Sequence, residues 1–178
     1  MKEFNFKKKK LDNKEIIFKK KNDFRGHLAR IFCKKQYSNL IKNFSIKQIN
    51  HTLTKKKGTI RGFHYQNNKY SEDKILVLLE GSIYDVFINM NKKSKNYLKV
   101  FKKKITSKKN EIIFIPRGYA NAYQVLENNT KILYFTTNYY TPNQEKQFNP
   151  LSNFFKIKWP IKEIILSNKD KNSKNFSC

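Results

Sequence analysis

An all-β sandwich or jelly roll is the fold class this sequence predicts, and three observations lead there. Short apolar and aromatic runs recur along the chain, polar or glycine-containing breaks separate them, and helical periodicity is nearly absent. The runs fall at 15–18, 27–33, 44–50, 59–65, 75–79, 83–90, 97–101, 111–115, 121–126 and 131–137. Each is short enough for a strand, and such a series with few helices is the pattern of two packed antiparallel sheets. Within 83–90, Ile83, Asp85 and Phe87 point one way and Tyr84, Val86 and Ile88 the other. Both faces carry apolar side chains, so this strand is expected to be covered on both sides. Glu80-Gly81-Ser82 reads as a hairpin turn, with Gly81 free to take positive φ. Helical turns are expected only at 36–42 and after Pro142. The lysine runs at 7–10, 19–21 and 55–57 read as solvated turns or edge strands, and no internal repeat is present.

The 178 residues suit one domain, taken as 1–172, followed by a polar tail at 173–178. Cys33 lies in an apolar run and reads as core, while Cys178 is terminal, so no disulfide framework is expected. The start, MKEFNFKKKK, is charged without an apolar segment behind it, and no run approaches the roughly 20 apolar residues a bilayer needs. A cytoplasmic protein with no membrane partner is therefore expected. The formal charge of +26 comes almost wholly from lysine; the arginines are Arg25, Arg30, Arg61 and Arg117. Abundant Lys, Asn and Ile are what an AT-rich coding sequence produces. A nucleic-acid binder also uses arginine, whose planar fork reads phosphates and base edges. Nucleic acid is accordingly not the expected partner, although a positive field would attract a nucleotide diphosphate.

Two segments carry candidate chemistry. In Thr59-Ile-Arg-Gly-Phe-His-Tyr-Gln66, Arg61 and His64 stand three positions apart with Gly62 between them. Both can reach one cavity, and Gly62 permits a close approach of another backbone or a ligand. The alternative is a buried histidine satisfied by a carbonyl. The second segment, Ile115-Pro-Arg-Gly-Tyr-Ala-Asn-Ala-Tyr123, resembles the second motif of the cupin superfamily, with Asn121 where a histidine is common. Metal-binding cupins also pair two histidines in the first motif, where this chain has only His64. One histidine does not make a set of three or four N/O ligands. The resemblance thus implies a double-stranded β-helix jelly roll (cupin) with few short helices, no metal and no cofactor.

An ordered set of further segments is similar to the dTDP-4-dehydrorhamnose 3,5-epimerase family. Besides the run ending at Gln66, it comprises Asp23-Phe-Arg-Gly26, Gln48-Ile-Asn-His51, Lys74-Ile-Leu-Val-Leu-Leu-Glu-Gly-Ser-Ile-Tyr-Asp-Val86 and Ile115-Pro-Arg-Gly-Tyr-Ala120. Leu133-Tyr-Phe-Thr-Thr-Asn-Tyr-Tyr-Thr-Pro142, Trp159-Pro160 and Leu166-Ser-Asn-Lys-Asp170 complete it. The resemblance covers roughly residues 15 to 172.

That resemblance implies epimerisation of a nucleotide-linked 4-keto-6-deoxy sugar beside its ketone. His64 matches the base that removes the carbon-bound proton, a task suited to an imidazole. Asp170 matches the aspartate on its far ring nitrogen. Arg61 and Lys74 match the cations that hold the enolate oxygen. Tyr134 matches the acid on the other face, its phenol made more acidic by a neighbouring cation. Arg25, Gln48 and Tyr140 match positions touching the nucleotide or its diphosphate, and Asn121 a substrate contact. The family exchanges N-terminal strands in a homodimer, which would put Arg25 in the neighbouring site. Read without the family, Tyr134 and Tyr140 are strand aromatics, Lys74 a surface lysine, Asp170 a solvated tail residue and Asp85 a structural carboxyl. The chain departs from the pattern at Asn121, at Arg30 in place of a glutamate, and at Ile49 within the Gln48–His51 run. A C3-only epimerase, a ketoisomerase and a non-catalytic sugar-nucleotide binder stay as alternatives.

Overall fold

The computed structural model describes residues 4–8, 14–38 and 45–177. Parts of the expected strand at 44–50 and of the expected helical stretch at 36–42, together with Lys9, Lys10 and Cys178, lie outside them. In chain order the strands are β1 (Phe4–Lys8), β2 (Lys14–Phe18), β3 (Lys20–Asp23), β4 (Gly26–Ala29), β5 (Gln48–Thr54), β6 (Ile60–Gln66) and β7 (Lys74–Glu80). They continue as β8 (Ser82–Asn89), β9 (Val100–Thr106), β10 (Glu111–Ile115), β11 (Tyr119–Val125), β12 (Thr130–Thr136) and β13 (Glu145–Gln147). Two short α-helices, α1 (Lys34–Ser38) and α2 (Asn168–Lys171), and single 3-10 turns that include Pro142–Gln144, where a helical turn is expected, complete the regular structure.

A six-stranded sheet in the order β1-β2-β10-β7-β12-β5 faces a five-stranded sheet in the order β13-β6-β11-β8-β9, and β3-β4 form a separate hairpin. The chain is a double-stranded β-helix jelly roll of the cupin type. Apolar side chains form three layers. Leu76, Leu78, Ile113, Ile115 and Ile132 from one sheet meet Ile83, Phe87, Phe101, Ile105 and Val125 from the other. Outside the six-stranded sheet, Ile16, Ile75, Val77, Ile112, Phe114 and Phe135 are roofed by Tyr37 and residues 29–33. Outside the five-stranded sheet, Phe63, Val86, Ile88, Ala120 and Ala122 pack under Phe148, Phe155 and Trp159. β8 is therefore covered on both faces, as its two-sided apolar pattern predicts. Phe176, inside the segment read as a polar tail, stacks edge-on to Phe148 with its ring centroid 5.1 Å away.

Several expectations change in detail. Glu80-Gly81-Ser82 is not a hairpin within one sheet: β7 pairs with β10 and β12, whereas β8 pairs with β9 and β11. Gly81 turns the chain from one sheet to the other at φ 83°, where an added Cβ would lie 2.4 Å from Thr130 Oγ1. The lysines at 20 and 21 lie in β3 of the two-stranded hairpin, in keeping with their reading as an edge strand. The strand read at 97–101 begins at Val100, because turns hold residues 94–99. β5 runs on to Thr54, paired with β12 along its whole length, and the sequence does not reveal this because its inward side chains, Gln48, Asn50 and Thr52, are polar and hide the period of two.

One irregularity builds the site. Between β6 and β11 the partners step from Asn121↔His64 to Tyr123↔Arg61, so β6 spends an extra residue at Gly62-Phe63. Strict alternation would put Arg61 and His64 on opposite faces; the bulge restores them to the same one. Gly62, at φ 116°, makes this possible, since a Cβ there would meet Asn121 O at 2.4 Å. Phe63 is turned outward and stacks on Phe148 at 4.7 Å.

Candidate active site

The two sheets part at the end remote from β9 and enclose a cavity of about 720 Å³. β6 and β11 supply one wall with Arg61, His64, Asn121 and Tyr123. β5, β7 and β12 supply the facing wall with Gln48, Asn50, Lys74, Leu76 and Tyr134. Tyr140, Glu145, Lys169 and Asp170 close the rim. Of the residues singled out from sequence, the fold gathers His64, Asp170, Arg61, Lys74, Tyr134, Gln48, Tyr140 and Asn121 around this one space. Arg25 is not among them. It sits at the turn between β3 and β4, exposed, with its guanidinium 2.7 Å from Asp23 Oδ2.

His64 Nε2 lies 2.7 Å from Asp170 Oδ1, and Asp170 is 4% exposed, so it is not a solvated tail residue. The placement of Asp170 follows from the chain beyond β13. Ile165 pairs with the start of β6, accepting the Ile60 N–H at 2.9 Å. Buried Gln124 clamps Ile161 through both ends of its amide, at 2.9 Å each. Ser167 then caps α2, its hydroxyl accepting the Asp170 N–H at 3.1 Å. Burial pushes the Asp170 carboxyl up, but bonds from His64, Ser167 and the Gly62 N–H together hold it below its ordinary value. An ionised Asp170 accepts from Nε2–H and leaves the lone pair on Nδ1. That nitrogen has a carboxylate oxygen of Glu145 3.9 Å away.

Lys74 is held by Glu72, with Nζ 3.3 Å from Oε1, and its side chain is 18% exposed. Glu72 is itself fixed by the Gln66 amide at 2.5 Å. Arg61 donates from Nε to Thr54 Oγ1 at 3.1 Å, leaving the rest of its fork toward the cavity. Tyr134 departs from expectation. Burial raises its pKa, outweighing the lowering by Arg61, and Glu72 and Glu145 raise it further. The phenol therefore keeps its proton at neutral pH. At the rim, the Tyr140 N–H donates to Gln48 Oε1 at 2.5 Å, and the Tyr140 hydroxyl donates to Glu145 at 3.3 Å. Lys169 also bonds Glu145.

Asp85 lies beneath the cavity wall, directly behind Asn121. Asn121 Nδ2 donates to Asp85 Oδ1 at 2.7 Å and to the Val86 carbonyl at 3.1 Å. Asp85 is fully buried, and burial pushes its carboxyl up to about 7, against the pull of Asn121, Lys74 and Lys103. In this fold Asp85 binds a proton that the unfolded chain has released once the pH passes its ordinary value of 3.8. Stability contributed by the neutral carboxyl is whole below that value and is lost as pH rises toward 7. Urea unfolding between pH 4 and pH 7 should show a loss of a few kcal/mol from this group, on the order of 1.4 kcal/mol per unit. Asp85→Asn should flatten that slope, and an unchanged slope in the variant would remove Asp85 as its source.

Sequence reasoning missed Glu72, Glu145, Lys169, Asn50, Thr52 and Tyr123. One signal was available: acidic residues number only 13 against 39 basic ones, and Glu72, Glu145 and Asp170 all line this cavity.

A sequence profile described as dTDP-4-dehydrorhamnose 3,5-epimerase matches residues 10–177. The chain is 29% identical over 164 residues to the dTDP-4-dehydrorhamnose 3,5-epimerase of Shigella flexneri, covering 90% of each. Among solved structures it resembles the dTDP-4-dehydrorhamnose 3,5-epimerase of Bacillus anthracis with TDP and PPi bound, at TM-score 0.91 and 25% identity over 97% of this chain and 99% of that one. It also resembles the dTDP-6-deoxy-D-glucose-3,5-epimerase of Legionella pneumophila in complex with dTDP-4-keto-L-rhamnose, at TM-score 0.89 and 28% identity over 97% and 92%.

Proposed function

The chain belongs to the dTDP-4-dehydrorhamnose 3,5-epimerase family, and from that premise we propose that it inverts carbon centres beside the C4 ketone of a dTDP-linked 4-keto-6-deoxy sugar, with His64 as base and Tyr134 as acid. It is an isomerase acting on a sugar nucleotide. The reaction is redox-neutral, because the ketone already acidifies the neighbouring C–H bonds, so proton transfers by side chains suffice.

In this reading His64 Nδ1 takes the proton from carbon while Asp170 supports the imidazolium. Electrons move onto the ketone oxygen, where Lys74 and Arg61 meet the developing charge. Tyr134 returns a proton to the opposite face, and Arg61, already drawing its pKa down, steadies the phenolate left behind. The observation that carries the proposal is the placement of His64 and Tyr134 on facing sheets around one cavity. Gln48 and Tyr140 at the rim suit the nucleotide. The same reading gives a cytoplasmic homodimer in which the β3-β4 hairpin reaches the neighbouring site. Its support is the exposed apolar surface of that hairpin: Phe24 at the turn beside Arg25 is 98% exposed and Leu28 on β4 71%.

The test is to incubate the protein with dTDP-4-keto-6-deoxyglucose in deuterated buffer and read product and label by NMR. The expected result is deuterium next to the ketone together with an inverted centre. Absence of both, across several nucleotide sugars, would leave a binder without chemistry.

A further inference from the structure

A 4-keto-6-deoxy hexose offers two acidic carbons that differ in what they carry: C3 bears a hydroxyl, C5 a methyl group and the ring oxygen. A residue that tells these apart must sit beside the base and offer one kind of hydrogen-bonding atom only. Asn121 is the direct cross-strand neighbour of His64. Both its contacts with the protein are made through one end of the carboxamide, to Asp85 Oδ1 and to the Val86 carbonyl. A backbone carbonyl only accepts, so the atom beside it is the NH2 group and the amide has one orientation. The carboxyl beneath accepts at Oδ1 whether or not Oδ2 carries a proton, so the orientation survives titration. That leaves Asn121 Oδ1. Among the described residues no hydrogen bond reaches it, yet it is not one of the buried polar atoms lacking a partner. Asn121 lines the cavity, so this oxygen faces it.

We infer that Asn121 is a specificity-determining residue, and that by turning a fixed carboxamide oxygen onto the cavity beside His64 it favours proton exchange at the hydroxyl-bearing C3 over the methyl-bearing C5. The inference rests on the epimerase reading. An acceptor there binds the C3 hydroxyl and gains nothing from a methyl group, which would leave the oxygen desolvated and unpaired. The same oxygen cannot stabilise an enolate, so that task stays with Lys74 and Arg61. Asp85 is a positioning residue: it never meets substrate, and it holds the amide with the oxygen outward.

The experiment follows deuterium uptake at C3 and C5 of dTDP-4-keto-6-deoxyglucose in one NMR time course, so that the ratio of the two rates does not depend on how much protein is folded. The protein should label C3 about tenfold faster than C5, the worth of one well-made hydrogen bond. Asn121→Leu should bring the ratio toward one. Asp85→Ala, which frees the amide to rotate, should lower it likewise, and Asp85→Asn, which keeps an acceptor under Asn121, should restore it. Equal labelling of C3 and C5 by the unaltered protein overturns the inference while leaving the epimerase intact, as does a C3 preference that Asn121→Leu does not change. No labelling at either carbon overturns the epimerase reading and this inference together.

Discussion

His64→Ala should lower epimerase turnover by about 10³-fold, within the range expected for loss of a positioned general base. The reason lies in how completely the surrounding structure commits this imidazole. Asp170 engages Nε2 at 2.7 Å and is held ionised by His64, Ser167 and Gly62, so Nδ1 is the basic atom. Glu145 is the nearest other carboxylate, 3.9 Å from that nitrogen, but it is already shared by Lys169 and the Tyr140 hydroxyl. A carboxylate so engaged is a poor substitute base. The loss should fall on kcat, with substrate affinity little changed, because Gln48, Tyr140 and Lys74 remain. A His64→Ala protein that unfolds in urea like its parent yet turns over within tenfold of it would remove the base from the account.

Tyr134→Phe should separate two events that the intact protein couples. Inversion should fall by about 10²-fold, the lower end expected for a general acid, while solvent deuterium still enters the carbon next to the ketone. The base on β6 would take the proton and return solvent label to the same face, restoring the original configuration. Deletion of the hydroxyl costs little else, since the ring of Tyr134 still packs against Leu76 and its neighbours. The phenol suits this task because burial holds its proton in place while Arg61 favours the anion that forms on donation. Equal loss of exchange and inversion in Tyr134→Phe would mean that the phenol assists deprotonation instead.

The jelly roll was legible because the strands that border packed core, β7, β8 and β10 above all, are short, nearly continuous apolar runs set off by polar or glycine breaks. It blurred where strands border the cavity. β5 shows its interior face as Gln48, Asn50 and Thr52, and no hydrophobic period marks it. The passage of Gly81 from sheet to sheet was equally hidden, since a glycine turn between two apolar strands reads the same whether they pair with each other or with others. Within the site, the family resemblance led to residues lying far apart in sequence, His64 and Asp170 above all. It could not supply the bulge at Gly62-Phe63 that puts Arg61 beside His64, which depends on how β11 registers against β6. Nor could it supply the sign of the shift at Tyr134, where burial and a cation oppose each other and only their geometry decides. Glu145 escaped notice because its partners, His64, Tyr140 and Lys169, come from three separate segments.

A crystal structure with a dTDP-4-keto-6-deoxy sugar bound tests the central claim most directly. C3 or C5 should lie about 3–3.5 Å from His64 Nδ1, the Tyr134 hydroxyl should stand over the opposite face of the sugar ring, and the ketone oxygen should point at Lys74 and Arg61. A sugar that presents one face to both His64 and Tyr134, or whose ketone turns away from the two cations, contradicts it.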